Sequence, residues 1–314
     1  MTGNRFRQLL KPWMLPLAML TGLLLHDYIE YVAFLTPYLI FSMLLLTFCK
    51  IDYSEVRPGR MALLLLTFQM AVAIGAYFAI APFDHVIAQG VFICIFCPTA
   101  TAAPVITAML AGSIGRLVSY SLIINAAVAV TAPVLFSMMS DTDVSLWAET
   151  LSISRHVVPL ILSPLLVALL LRYTLPKAHN ILANKQSVSF YLWAVSLIIV
   201  VGRAVSFMLN EPASEIPRMV LLGVVSLAAC VLQFAVGRII GRHTGDAVAG
   251  TQALGQKNTV LAIWMALTYL NPLTSVAPAA YVLWQNTFNS AQLYLKMRRG
   301  DSAPKGGEAR RQKT

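Results

Sequence analysis

The chain has 314 residues, of which 58% are apolar and 11% charged, with a mean hydropathy of +0.72. A soluble domain carries roughly 25% charged residues, so this composition excludes a soluble globular protein. The net charge of +10 would suggest nucleic acid in a soluble chain. Here the positives fall in short loops and tails, where they set membrane topology, and no nucleic-acid partner is expected.

The apolar runs predict an all-α membrane protein with ten transmembrane helices: 12–27, 31–49, 61–82, 86–112, 116–140, 155–175, 187–209, 215–240, 246–270 and 273–296. The basic patch and apolar run at the N-terminus resemble a signal peptide. No small-residue cleavage site follows, so the run is kept as the first span. The connections are short, and the chain divides as one integral membrane unit, 1–314. Residues 1–145 hold the first five spans, 150–297 the second five, and 298–314 form a Gly-, Lys- and Arg-rich tail expected to be disordered and cytoplasmic. Cys49, Cys94, Cys97 and Cys230 lie in or beside apolar segments and are expected to be reduced packing residues.

With ten spans, 19 of the 23 Lys and Arg residues fall on one side. The other side holds Asp27, Glu30, Asp84, Asp141, Asp143, Glu149, Glu211 and Glu215, with Arg155, Arg203 and Arg218 nearby. The positive-inside rule then puts both termini in the cytoplasm. Lys257 belongs to neither face.

Two spans are interrupted. Cys97-Pro98-Thr99-Ala100-Thr101-Ala102-Ala103-Pro104 breaks the fourth, and Gly255-Gln256-Lys257-Asn258-Thr259 breaks the ninth, with Gln252 just before. Non-helical backbone at membrane depth is tolerated only inside protein or against water. Broken helices in corresponding halves point to a transporter's binding site. Five spans per half means that the second half enters from the opposite side, giving inverted repeats. Phe68-Gln69-Met70-Ala71-Val72 and Leu232-Gln233-Phe234-Ala235-Val236, and Asn125 and Asn286, match across the halves at offsets of 164 and 161 residues. The two breaks should cross near the midplane. Half-helix N-termini starting near Ala103-Pro104 and Asn258-Thr259 would offer free N–H groups and partial positive charge. Thr99, Thr101, Asn258 and Thr259 would add polar contacts, and Lys257 a full charge. An anionic ligand is expected, with Gln285 and Asn286 of the last span lining its cavity. Trp193, Trp264 and Trp284 are read as packing residues, and Arg203 and His156 as edge residues that snorkel or pack.

These segments resemble a known family. Cys97-Pro98-Thr99-Ala100-Thr101 is similar to the Cys-Pro-Gly-Gly-Thr-Ala-Ser-Asn segment of the bile acid:sodium symporter family. Gly255-x-x-Asn258-Thr259 resembles its Glu-Val-Gly-Met-Gln-Asn-Ser segment, and Leu283-x-Gln285-Asn286 its Trp-His-Asn stretch. Leu46-Thr47-Phe48, followed by Lys50 and Asp52, resembles its Gly-Leu-Thr-Leu-Lys-Pro loop. The likeness spans the ten-helix chain. It implies a core domain (spans 3–5 and 8–10) moving against a panel domain (spans 1, 2, 6 and 7), and organic-anion substrates: bile salts, pantoate-like acids or 2-oxo acids. It also implies a divergent bacterial member in the inner membrane.

The family's two sodium sites are altered here. Ala103-Pro104 replaces Ser-Asn, Ala253 beside Gln252 replaces the acidic residue, and Lys257, after Gln256, replaces a glutamine. Of the ligands the resemblance implies, Gln69 and Ser121 remain. Sodium coupling is therefore expected to be lost. Three readings of Lys257 stay open: a tethered cation in a sodium position, a proton carrier giving H⁺ coupling, and a counter-ion for substrate.

The functional reading is a secondary transporter of a small or amphipathic organic anion by alternating access. The alternatives are a sodium-coupled symporter and an uncoupled channel or sensor. No nucleophile–base pair, buried carboxylate pair or His-Glu-x-x-His motif argues for an enzyme, and no cofactor is expected. Partners are the substrate and the lipid bilayer. The sequence leaves the oligomeric state open, a monomer included.

Overall fold

A computed structural model describes residues 14–51, 53, 56, 59–140 and 144–301. Among these the chain is helical throughout, without strands. The helices are α1 (Met14–Leu24), α2 (Thr36–Cys49), α3 (Arg60–Ile80), α4 (His85–Phe96), α5 (Ala103–Met109), α6 (Ile114–Met139) and α7 (Leu146–Thr174). They continue with α8 (Pro176–Ala183), α9 (Gln186–Asn210), α10 (Ile216–His243), α11 (Ala247–Gly255), α12 (Thr259–Tyr269) and α13 (Val276–Asp301). Short turns from His26 to Leu35 lead into α2. Six helical segments are long and apolar enough to cross a membrane: His26–Cys49, α3, α6, α7, Tyr191–Asn210 within α9, and Ala213–His243, which contains α10. This is an α-helical integral membrane protein by that measure.

Local chemistry explains the helix ends. Asp84, Ser113, Ser145, Asp246 and Asn258 each accept a backbone N–H from the first turn that follows, the usual N-cap arrangement. Pro104, Pro176 and Pro217 sit at the start of α5, α8 and α10, where a missing N–H costs no bond. Gly245 follows α10 with φ +92°, a conformation open to glycine without strain.

α9 packs on α1 and α2, and α2 on α7. α10 packs on α11, α13 and α4, while α3 packs on α4 and α6. The tightest approach is between α10 and α11. A Cβ on Gly250 would lie 2.3 Å from the Gly237 carbonyl oxygen, with Gly241 also in contact. Gly237 and Gly241 are four apart, the small-residue spacing that lets membrane helices touch backbone to backbone.

Charge separates along the bundle. At one end, Arg116 donates to the Thr244 carbonyl at 2.6 Å and Lys296 to Met109 O at 2.9 Å, and Arg172 lies over the Tyr53 ring. At the other, Arg218 bridges Asp84 (2.9 Å) and Glu215, and Arg203 lies 3.4 Å from Glu30. Basic residues in 1–13, Arg57 and those in 302–314 lie outside the described residues, as does all of the expected tail beyond Asp301.

Three boundaries depart from expectation. α7 begins at Leu146, nine residues before the expected start at 155, because Ser145 caps it and its polar first turns still continue the helix. α8 forms in a stretch expected to be loop. α13 runs on to Asp301, into the stretch expected as tail.

Candidate functional site

The two interruptions meet. α4 ends at Phe96 and α5 starts at Ala103; α11 ends at Gly255 and α12 starts at Thr259. Between them the non-helical segments meet in one isolated antiparallel bridge, Thr99 against Lys257. Ala100 N–H donates to Gln256 O at 3.0 Å, and Asn258 N–H to Pro98 O at 2.8 Å. Each break thus supplies backbone partners to the other, which is what buried, non-helical backbone requires.

The carbonyls that a helix end leaves unpaired are nearly all answered by name. On α4, Cys94 O accepts from Gln233 Nε2 (3.2 Å) and Ile95 O from Lys257 Nζ (2.9 Å). Phe96 O and Cys97 O both accept from Gln69 Nε2, at 2.8 and 3.1 Å. On α11, Ala253 O accepts from the Thr99 hydroxyl (2.9 Å) and Gly255 O from the Tyr281 hydroxyl (3.0 Å). Tyr120 donates to Gln69 Oε1, and Gln233 to the Tyr281 oxygen.

Lys257 is 1% exposed. Its ammonium sits at the carboxyl end of α4, the negative end of that helix dipole, where a cation is stabilised. No acidic residue forms an ion pair with it among the described residues. Its backbone N–H is held by Gln285 Oε1 at 2.9 Å.

A small cavity of about 50 Å³ lies beside the crossing. Thr101, Lys257, Asn258, Thr259, Gln285 and Asn286 line it, all expected from the sequence. Asn258 spends its Oδ1 on capping α12 through Leu261 N–H. Asn286 donates to Val282 O on its own helix. Trp193 and Asn289 also line this cavity and were not anticipated as site residues. Asn289 is buried, and its Oδ1 has no hydrogen-bond partner among the described residues. A larger cavity of about 490 Å³ opens on the other side of Thr101, between α2, α5 and α6. Thr47 and Ser121 supply polar groups there, while Val105, Met109 and Val118 make it apolar.

Some expected ligands are placed otherwise. Thr99 lines neither cavity, because its hydroxyl proton is used on Ala253 O. Gln252 donates to Gln292 at 3.0 Å and accepts from Gln256, and it lines neither cavity, whereas Gln256 does line the small cavity beside Lys257. Ser121 lines the larger cavity and not the pocket beside Lys257. Tyr120 and Tyr281, both fully buried, complete the crossing and were overlooked, because a tyrosine in an apolar span has no signal separating it from packing. Trp284, read as packing, donates its indole N–H to Gly223 O and Ser226 Oγ on α10.

In comparisons with known proteins, the chain matches no protein-family model and no curated protein sequence.

Proposed function

We propose that the chain is a secondary transporter of organic anions, working by alternating access and without sodium. The observation that carries this reading is the reciprocal pairing of the two helix breaks around one buried ammonium. Broken helices meeting in this way are the usual construction of a midplane transport site. The N–H groups of the first turns of α5 and α12 are spent on Ala100, Ala102, Lys257 and Asn258 oxygens, so the positive charge that favours carboxylates here is that of Lys257, added to the positive end of the α12 dipole.

The finer architecture belongs to the same proposal. The bundle is ten spans in two inverted repeats, with α4–α5 and α11–α12 as the broken fourth and ninth. Asp84 and Asp246 cap the first half-helix of each break, 162 residues apart. Gln69 with Tyr120 and Gln233 with Tyr281 form the same residue pair at offsets of 164 and 161. That recurrence supports a repeat, and with the motifs quoted above it supports a divergent member of the bile acid:sodium symporter family. α3–α6 and α10–α13 act as the core, moving against a panel of α1, α2, α7 and α9. The basic end of the bundle faces the cytoplasm of a bacterial inner membrane.

Lys257 is the tethered cation. A sodium ion at the carboxyl end of α4 would be held by carbonyl and amide oxygens; the ammonium meets one of these carbonyls, Ile95 O, instead, and Ala253 offers no carboxylate. Labelled acids supplied to proteoliposomes test the function. Saturable uptake that an imposed Na⁺ gradient does not accelerate, and that Lys257→Ala abolishes, is expected. Uptake driven by Na⁺ would overturn the sodium-free reading, and absence of uptake across a broad acid panel would overturn transport.

A further inference from the structure

A third cavity, of about 530 Å³, lies at the acidic end of the bundle between α2, α7 and the end of α12. Tyr38, Phe41, Trp264 and Tyr269 give it aromatic walls, and among the described residues no Asp or Glu lines it. The wall is rigid: Trp264 and Tyr269 pack edge to face with centroids 5.5 Å apart, and Tyr269 stacks on Phe136 at 5.8 Å. The volume is within the range of pockets that enclose small ligands, about 300–1,000 Å³.

Its cation is Arg155. Three arginines lie toward this end of the bundle, and their surroundings differ. Arg203 is paired with Glu30, and Arg218 with Asp84 and Glu215. Arg155 has no acidic partner among the described residues. It is also the tenth residue of α7, so it sits about 14 Å along that helix at 1.5 Å per residue, not at its tip. Arg155 is exposed, has no acidic partner among the described residues, and borders a cavity walled by aromatic rings, so its guanidinium is open to an anion that enters there. A guanidinium holds a carboxylate through two parallel hydrogen bonds. Ser152, Ser163 and Thr268 border the cavity, but their hydroxyls are weaker anchors: Ser163 and Thr268 already donate to carbonyls on their own helices.

We infer that this cavity is a second anion-binding site, taking a carboxylate with an aromatic or flat apolar body, its charge on Arg155 and its body against Trp264 and Tyr38. α2 lines this cavity through Pro37, Tyr38 and Phe41 and the 490 Å³ cavity through Thr47. Six residues, Phe41 to Thr47, separate the two, about 9 Å of helix. On the transport reading, the site captures substrate on one side of the crossing and the 490 Å³ cavity receives it on the other. Its existence as a binding site does not rest on that reading.

Titration of the purified protein in phosphatidylcholine nanodiscs with 2-naphthoate, followed by calorimetry, tests the inference. 2-Methylnaphthalene is the uncharged control. Wild type is expected to bind the acid. Arg155→Gln should weaken it about tenfold or more, the scale of a lost charge-assisted pair, and Arg155→Lys less. Affinity for the uncharged control should be the same in wild type and Arg155→Gln. No acid binding by wild type, or equal binding by Arg155→Gln, overturns the site. Binding that disappears when phosphatidylglycerol is added also overturns it, because the arginine then holds a lipid headgroup. Arg155-dependent binding in a protein that transports nothing would refute the transport reading and leave this site standing. Transport with Arg155→Gln binding as wild type would do the reverse.

Discussion

The two breaks do the same job with different chemistry. The first, between α4 and α5, is six residues long, contains Pro98 and carries no charge. The second, between α11 and α12, is three residues long and carries Lys257. The first contributes a helix end whose Phe96 and Cys97 carbonyls are met by the Gln69 amide and whose Ile95 carbonyl faces the ammonium. The second contributes the cation. The asymmetry teaches that the first half of the crossing offers carbonyls and the second a cation that meets one of them; on the function proposed above, that cation takes the place of a dissolved ion. The supporting helices differ too. Gly250 of α11 touches α10 backbone to backbone, whereas Gly90 of α4 faces the Leu222 side chain of α10.

That last difference gives the largest expected effect. Gly250→Ala forces a methyl to 2.3 Å from a backbone carbonyl, which neither helix can relieve by changing a rotamer. It should cost about 3 kcal/mol or prevent assembly. Gly90→Ala meets Leu222 Cδ2 at 2.4 Å, a flexible methyl, and should cost about 1 kcal/mol. Melting curves in detergent compare them; equal losses would mean that α10 and α11 are not in backbone contact.

The tyrosines sharpen the comparison. Tyr281→Phe leaves Gly255 O without its donor and Gln233 Nε2 without one of its acceptors, and should cost about 1–3 kcal/mol for buried groups left unpaired. Tyr120→Phe removes one bond to Gln69, while Gln69 keeps both of its own bonds to α4. About 1 kcal/mol is expected. A larger loss for Tyr120→Phe would mean that Gln69 depends on Tyr120 more than Gly255 O depends on Tyr281.

The caps give the smallest effect. Asp246 accepts from Ala249 and Ser113 N–H groups, joining α11 to α6. Asp84 accepts from Ile87 N–H and pairs with Arg218. Substitution by Ala should cost about 1–2 kcal/mol at Asp246 and about 1 kcal/mol at Asp84, where the ion pair is partly exposed and adds little. Burial alone would raise the Asp84 pKa, but the Ile87 N–H and the Arg218 guanidinium outweigh it and hold the carboxyl below its ordinary value. Its folded pKa is therefore the lower one. The stabilisation is full above the ordinary carboxylate range near ~3.9 and is lost as pH falls through the depressed value. Wild type should lose more stability on acidification than Asp84→Asn over that window. Identical pH profiles would remove Asp84 from the account.

Much of this crossing was legible in the residues. Pro98, Pro104, Gly255 and Asn258 cannot continue an apolar helix quietly, so both breaks could be located, and a lysine among apolar residues had to be buried with a purpose. What could not be read was direction. Nothing in the sequence says that Thr99 turns its hydroxyl to Ala253, or that the ammonium faces the end of α4 rather than open space. Tyr120 and Tyr281 are hidden because aromatic residues belong in any apolar span. The start of α7 is hidden because Glu149, Ser152 and Arg155 look like a loop until Ser145 is seen capping a helix. Arg155 itself was counted only as a stray positive charge, since its meaning depends on which carboxylates lie within reach.

The central claim is that Lys257 stands where a sodium ion would otherwise be needed. The most direct test is the melting temperature of the purified protein in sodium chloride and in choline chloride at matched ionic strength, for wild type and for the double variant Ala253→Glu with Lys257→Gln. Wild type should melt at the same temperature in both salts, and the double variant should be stabilised by sodium alone. Sodium-specific stabilisation of wild type would contradict the claim.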